Sequence, residues 1–67
     1  MKKNQYSEVK IWFEDCLTKL SKSNEDIQPF GWTILNDKIA GLEKNGIITH
    51  DQFVELHNKG LKVLNFN

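Results

Sequence analysis

Arginine is absent from this chain, and Cys16 has no second cysteine with which to pair. No internal disulfide can therefore support the fold, although a domain of this size buries only about 60% of its unfolded surface. No apolar run approaches the ~20 residues of a membrane span, and no apolar block typical of a signal peptide follows the N-terminal lysines. These absences predict a single cytoplasmic domain, residues 1–67, without membrane contact. Its core is completed either by close helix packing or by a second copy of the chain in a homodimer.

The charged residues argue against nucleic acid as a partner. Nine lysines balance nine acidic residues, so the formal net charge is zero. Arginine supplies the fork that reads guanine edges and grips phosphate, and a neutral chain without it lacks the basic surface of a nucleic-acid binder. The many lysines, asparagines and isoleucines also suggest an AT-rich coding sequence. Such a sequence would suit a low-GC bacterium, its phage or a mobile element.

Apolar residues recur every three or four positions, the spacing typical of a buried helix face. The first such stretch begins at Ser7, a favoured N-cap residue. Its apolar residues are Val9, Trp12, Phe13, Cys16, Leu17 and Leu20. The second begins between Pro29 and Thr33, because proline disfavours helical backbone at the residue before it. Its stripe consists of Trp32, Leu35, Ile39 and Leu42, widened by Ile34. We predict helices over about 7–22 and 30–45, with Gly41 indicating close packing of another backbone against the second.

Start and stop signals mark a third helix. Gly46 suits the left-handed position that ends a helix. Thr49, with Gln52 three residues later, forms a capping box that begins the next one. Gly60 suits a second left-handed stop, so we predict a helix over about 50–59 and a short extended tail over 61–67. The predicted fold class is all-α: a three-helix domain whose last two helices form an antiparallel C-terminal hairpin.

The residues with reactive side chains do not form a recognisable catalytic or metal-binding pattern. His50 and His57 lie two helical turns, or ~10 Å, apart, whereas a zinc ion needs its ligands within ~2 Å. Cys16 lies on the apolar stripe, where a thiol is packed and inert. We therefore predict no catalytic residue, no metal and no cofactor, so that the protein is not an enzyme.

The run from Gly41 to Gln52 resembles the calcium-binding EF-hand loop in one respect. It places Gly46 at the obligatory glycine and Ile48 at the central apolar position. The family also needs carboxylates at the first, third and fifth positions and a bidentate Glu at the twelfth. Here Gly41 offers no side-chain oxygen, and Gln52 cannot give two carboxylate contacts. We interpret the run as shared helix–turn–helix geometry without calcium binding.

A longer pattern, over residues 39–64, resembles the helical hairpins of short bacterial C-terminal (SHOCT-type) modules. It reads Ile39-x-x-Leu42-x-x-x-Gly46-x-Ile48-Thr49-x-x-x-Phe53, followed by Leu61 and Leu64. Those modules combine a leucine-rich helix, Gly-x-Ile-Thr and an acidic helix with Phe. Here His50 and Gln52 replace acidic residues, and a long helix precedes the hairpin. The resemblance implies an interaction or assembly role and carries no catalytic residues.

Seven aromatic residues are many for so small a core. The residues predicted to form that core are Trp12, Phe13, Trp32 and Phe53. Exposed Trp and Phe clusters are typical of binding hot spots, and three short helices cannot cover every ring. The candidates for binding a partner are Phe30, Trp32, Phe66 and Trp12, so Trp12 and Trp32 fit either role.

These observations favour a non-enzymatic protein-interaction module: a small regulator, inhibitor or assembly factor that binds a protein partner. Two alternatives stay open. One is a helix-turn-helix nucleic-acid-binding regulator, whose third helix would bring His50, Gln52, Asn58 and Lys59 to the DNA groove. The other is a structural homo-oligomer.

Overall fold

The computed structural model describes residues 5–66, which form three helices. They are α1 (Tyr6–Ser21), α2 (Gln28–Lys44) and α3 (His50–Val63). Each helix packs against the other two, and residues 5–66 contain no strand. The predicted all-α, three-helix fold is confirmed. The predicted domain limits at residues 1 and 67, and the lysines considered for a signal peptide, lie outside the described residues.

Eight buried apolar side chains form the core, and all three helices contribute to it. They are Phe13, Leu17, Trp32, Leu35, Ile39, Ile48, Leu56 and Leu64. The stripe predicted for α2 is buried except Leu42, which packs half-buried against the core. The stripe predicted for α1 also faces the core, except that Trp12 is exposed. Periodicity therefore placed the inward faces correctly, apart from Trp12 on α1 and Ile34 on α2, which are both exposed.

The starts of α1 and α2 differ from the predicted positions. α1 begins at Tyr6, so Ser7 lies inside the first turn, and the N-cap residue Gln5 makes no side-chain capping bond. α2 begins at Gln28, and Pro29 occupies its first turn. Proline is tolerated there because the first helical N–H groups have no partner within the helix. The prediction that α2 starts between Pro29 and Thr33 is therefore wrong: its first residue precedes the proline.

The connection between α2 and α3 has the predicted stop and start. Gly46 has φ +78°, its N–H donates to the Glu43 carbonyl at 3.0 Å, and the Ile47 N–H donates to the Leu42 carbonyl at 2.9 Å. These two bonds are the Schellman motif. Thr49 Oγ1 accepts from the Gln52 N–H at 3.1 Å, and Gln52 Oε1 accepts from the Thr49 N–H at 2.9 Å. The capping box is confirmed.

Thr49→Ala should lower the free energy of unfolding by about 1 kcal/mol, the usual cost of losing an N-cap side chain. Thr33 is the matched control, because its exposed hydroxyl donates only to the Pro29 carbonyl within α2. Thr33→Ala should be neutral or slightly stabilising, since alanine is the better helix former. Urea unfolding followed by circular dichroism measures both. Equal effects of the two substitutions would contradict a capping role for Thr49.

Gly60 does not end α3. The helix continues through it to Val63, and the stop comes at Asn65, which has φ 61°. The Phe66 N–H donates to the Leu61 carbonyl at 2.9 Å and the Asn65 N–H to the Lys62 carbonyl at 3.3 Å. Asparagine thus takes the left-handed position of a second Schellman motif. The extended tail predicted over 61–67 is wrong, because residues 61–63 are helical.

The close packing predicted at Gly41 is found at Gly60 instead. A Cβ built on Gly60 would lie 2.2 Å from Cζ3 of Trp32, so α3 passes the indole ring at a distance that only glycine allows. A Cβ built on Gly41 meets nothing within 4 Å. The prediction of close packing at Gly41 is therefore wrong. Within the described residues, the tightest approach to a buried ring is at Gly60.

Candidate functional site

An apolar groove of about 350 Å³ lies between α1 and α2; we call it the α1–α2 groove. It is lined by Trp12, Cys16, Lys19, Leu20 and Ser23 on one side and by Gly31, Ile34, Leu35 and Lys38 on the other. At Gly31, the side chain of Leu20 occupies the space that a Cβ would need. The groove exists because two helices meet over small and half-buried side chains, whereas larger apolar side chains stand at its edges.

A row of exposed apolar side chains runs from the N-cap of α2 along the helix and meets the α1–α2 groove at Ile34. Ile27, Phe30 and Ile34 follow one another at spacings of three and four, so they share one face of the helix. Phe30 is 72% exposed and Ile34 is 60% exposed. We call these three residues the α2 ridge. It lies on a different face of α2 from the buried stripe, so this helix is apolar on two faces and only one of them serves the core.

Trp12 extends the apolar surface along α1. It is 38% exposed and lines both the α1–α2 groove and a shallower depression formed with Val9, Leu42 and Glu8. Apolar surface therefore continues along α1 from Val9 to Leu20, a distance of roughly 16 Å at the rise of an α-helix. This length accommodates about three turns of a second helix lying alongside.

The four aromatic residues predicted to bind a partner lie in different places. Trp12 lines the α1–α2 groove, whereas Phe30 is exposed on the α2 ridge, one helical turn from Ile34 and outside the groove lining. Trp32 is only 9% exposed and packs edge-on to Phe13, with ring centroids 6.2 Å apart. Phe66 is half-buried against the core. Of the two roles left open for Trp32, its burial fits the core role, and Phe66 contributes mainly to covering the core.

Ile34 and Ile27 were not predicted as site residues. The periodicity of α2 predicts Ile34 as part of a widened core stripe, because it is adjacent to Leu35 on the helix. The signal that could have identified it is the second apolar row, at residues 27, 30 and 34, on the side of α2 away from Ile39. Two overlapping apolar rows on one helix exceed what a small core can cover.

The charged groups at the α1–α2 groove are lysines. Lys19 forms an exposed i,i+4 ion pair with Asp15 at 3.2 Å. Lys38, on the opposite wall, has no ion pair or side-chain hydrogen bond with any residue in the range 5–66. The lining includes no carboxylate. The groove therefore presents an apolar floor between two cationic edges.

The remaining charged contacts connect α1 to α3, on another side of the molecule. Lys59 Nζ donates to the Glu14 carboxylate, and this hydrogen bond holds the pKa of Glu14 below its usual value. Burial raises the pKa of Tyr6 to about 12, and a hydrogen bond to Glu55 adds to this effect. The phenol therefore remains neutral across the physiological range. These contacts fix the α1–α3 pair and leave the α1–α2 groove open.

The two histidines pack on opposite sides of Phe53. The ring centroids of His50 and His57 lie 6.3 Å and 5.8 Å from that of Phe53, in stacked orientations. His50 Nδ1 is 3.1 Å from Glu43 Oε2, and His57 Nδ1 is 2.8 Å from Asn36 Oδ1. Both histidines therefore connect α3 to α2. In the range 5–66, no three His, Cys, Asp or Glu side chains are grouped so as to hold a metal ion.

The side chains considered for calcium or DNA binding have partners inside the fold. Glu43 binds His50, and Gln52 completes the capping box. Lys59 binds Glu14, which leaves Asn58 as the member of the set assigned to a DNA groove whose side chain has no such contact among residues 5–66. Reading bases with α3 would require breaking these contacts.

The fold and the groove define a small all-α domain of three helices with an exposed apolar groove between the first two. Comparison with known protein families, curated protein sequences and solved structures finds no match for the chain. Among residues 5–66, no helix has the length and apolar content needed to cross a membrane.

Proposed function

We propose that this protein is a non-enzymatic protein-interaction module that binds a protein partner through the α1–α2 groove and the α2 ridge. The observation that carries the proposal is exposed apolar surface: Trp12 and Ile34 line the groove, and Phe30 lies one turn of α2 from Ile34. A contiguous apolar patch on the surface of a small domain is typical of an interaction site, whereas single exposed apolar side chains are common on any surface. Aromatic residues are also enriched in the cores of protein interfaces.

The role within this class is a regulator, inhibitor or assembly factor in the cytoplasm, encoded by a low-GC bacterium, its phage or a mobile element. A lone cysteine suits a reducing compartment, and the Lys-, Asn- and Ile-rich composition supports the origin. The resemblance of residues 39–64 to SHOCT-type hairpins is a further hypothesis that points to the same kind of role. It concerns α2 and α3, whereas the proposed binding surface is formed by α1 and α2.

A structural homo-oligomer is the second candidate function. The exposed Phe30 lies one helical turn from Ile34, which lines the groove. A symmetric dimer needs both a projecting group and its receptor on one surface. The nucleic-acid alternative is less well supported, because His50, Gln52 and Lys59 are held by contacts within the fold.

Phe30→Ser should weaken binding of the native partner by roughly 30-fold, the effect of removing an interface hot spot. Stability should change by no more than about 0.5 kcal/mol, because the ring is exposed in the free protein. The control is Val63→Ser, which removes an exposed apolar side chain at the end of α3. Affinity purification from the source organism with wild type and both variants, followed by titration of the captured partner, tests this. Equal retention by both variants would contradict the assigned surface.

A further inference from the structure

We infer that the occupant of the α1–α2 groove is an amphipathic α-helix of a protein partner, with carboxylates along the edges of its apolar face. The inference rests on the function proposed above and specifies the chemistry of the partner. Three properties of the groove carry it: its helical walls, its length and the sign of the charges at its edges.

The walls of the groove favour a helix over an extended segment. Both are α-helices, whose backbone N–H and C=O groups are already bonded within α1 and α2. An extended peptide would bring its own backbone groups against apolar side chains with nothing to bond them, which is costly. A helix satisfies its own backbone and can lay one apolar face into the groove, with anchors at spacings of three, four and seven. On α1 the groove lining runs from Trp12 to Leu20, roughly 12 Å at the rise of an α-helix, which suits about two turns of such a helix.

The edges of the groove favour acidic flanks on that helix. Lys19 and Lys38 stand on opposite walls, and the lining includes no carboxylate. Lys38 has no charged partner among residues 5–66, and Lys19 has only the exposed Asp15. Glu or Asp on both sides of an apolar face would pair with both lysines. Such charge matching at the rim sets specificity and association rate.

The same charges argue against a second copy of the chain as the occupant. A symmetric dimer brings identical surfaces together, so a copy seated on this face would bring its own Lys19 and Lys38 to a surface that already carries two lysines without a nearby carboxylate in the lining. Like charges placed together oppose association. An acidic helix removes this repulsion, and a second copy adds to it.

Two designed helical peptides of about four turns provide the test. Both carry the same Leu and Phe face and differ only in having Glu or Lys at the flanking positions. We expect the Glu peptide to bind roughly fivefold more tightly, the effect of two exposed ion pairs, and the difference to shrink at high salt. Nuclear magnetic resonance titration should shift the Trp12 indole N–H and the Gly31 amide. Alkylation of Cys16, the only cysteine, should slow when the groove is filled.

Lys38→Glu should remove or reverse the preference for the Glu peptide. Lys62→Glu, an exposed charge change in the last turn of α3, should leave the preference unchanged. Circular dichroism confirms that both variants remain folded.

Each failure has a different meaning. Equal binding of the two peptides at the groove would overturn the acidic preference and leave the interaction surface intact. If neither peptide binds there while Phe30→Ser still abolishes capture of the native partner, a helical occupant is wrong but the proposed function stands. If sedimentation shows a dimer that Phe30→Ser dissociates, the occupant is a second copy. Native-partner capture that is unaffected by Phe30→Ser would overturn the proposed function itself.

Discussion

Trp32→Ala should lower the free energy of unfolding by about 3–5 kcal/mol, the range for removing a large aromatic side chain from a core. Trp32 is 9% exposed and contacts all parts of the fold: Phe13 of α1 edge-on, and His57 and Gly60 of α3. A domain of this length has a total stability of about 3–10 kcal/mol. We therefore expect the variant to lose a third or more of its stability, so that the midpoint of a urea titration followed by circular dichroism falls sharply.

Trp12→Ala is the matched control, because it removes the same side chain from the same domain. Trp12 is 38% exposed at the α1–α2 groove, so the cost should be less than about 1 kcal/mol. The folded spectrum should be retained while partner binding falls. Comparable losses of stability for the two tryptophans would show that the assignment of one to the core and the other to the surface is wrong.

Gly60→Ala should destabilise the protein by about 1–3 kcal/mol, the usual cost of overpacking. The new methyl group would lie 2.2 Å from Cζ3 and 2.3 Å from Cη2 of Trp32. The indole ring is rigid, and Phe13 and His57 pack against it, so it cannot move away cheaply. Alanine's better helix propensity, worth up to about 1 kcal/mol, offsets only part of this strain.

Gly41→Ala is the control for that prediction and should have the opposite sign. Its Cβ would meet nothing within 4 Å, so the gain in helix propensity, up to about 1 kcal/mol, should appear in full. A double-mutant cycle with Trp32→Leu then tests the cause. Removing the six-membered ring makes room for the methyl group, so Gly60→Ala should cost less in that background. An unchanged cost would show that the strain arises elsewhere.

The helix starts and ends that depend on residues close in the sequence were predictable. Gly46 ends α2 and Thr49 with Gln52 begins α3 through bonds that span at most five residues, so the local sequence determines them. The roles of Gly41 and Gly60 were predicted wrongly, because the role of a glycine inside a helix depends on which side chain of another helix packs against it. That neighbour, Trp32 for Gly60, is 28 positions away in the sequence.

The candidate site was partly predictable for the same reason. Trp12 and Trp32 have the same side chain and both lie on apolar stripes, so periodicity alone cannot distinguish them. The distinction comes from how α1 and α3 approach α2, which buries Trp32 against Phe13 and leaves Trp12 at the groove. Phe30 was identified from its aromatic ring beside a proline and a glycine. Identifying Ile34 as a site residue requires assigning residues 27, 30 and 34 to one face of a helix, separate from the face that is buried.

Because one tryptophan is buried in the core and the other lines the groove, their fluorescence reports on two different events. Trp12→Phe leaves an indole in the core, whose emission follows unfolding. Trp32→Phe, if the smaller ring is tolerated, leaves an indole at the groove wall, whose emission follows the arrival of a ligand. Stability and occupancy can then be followed in separate variants without any attached dye, and Cys16 remains available for a label inside the groove.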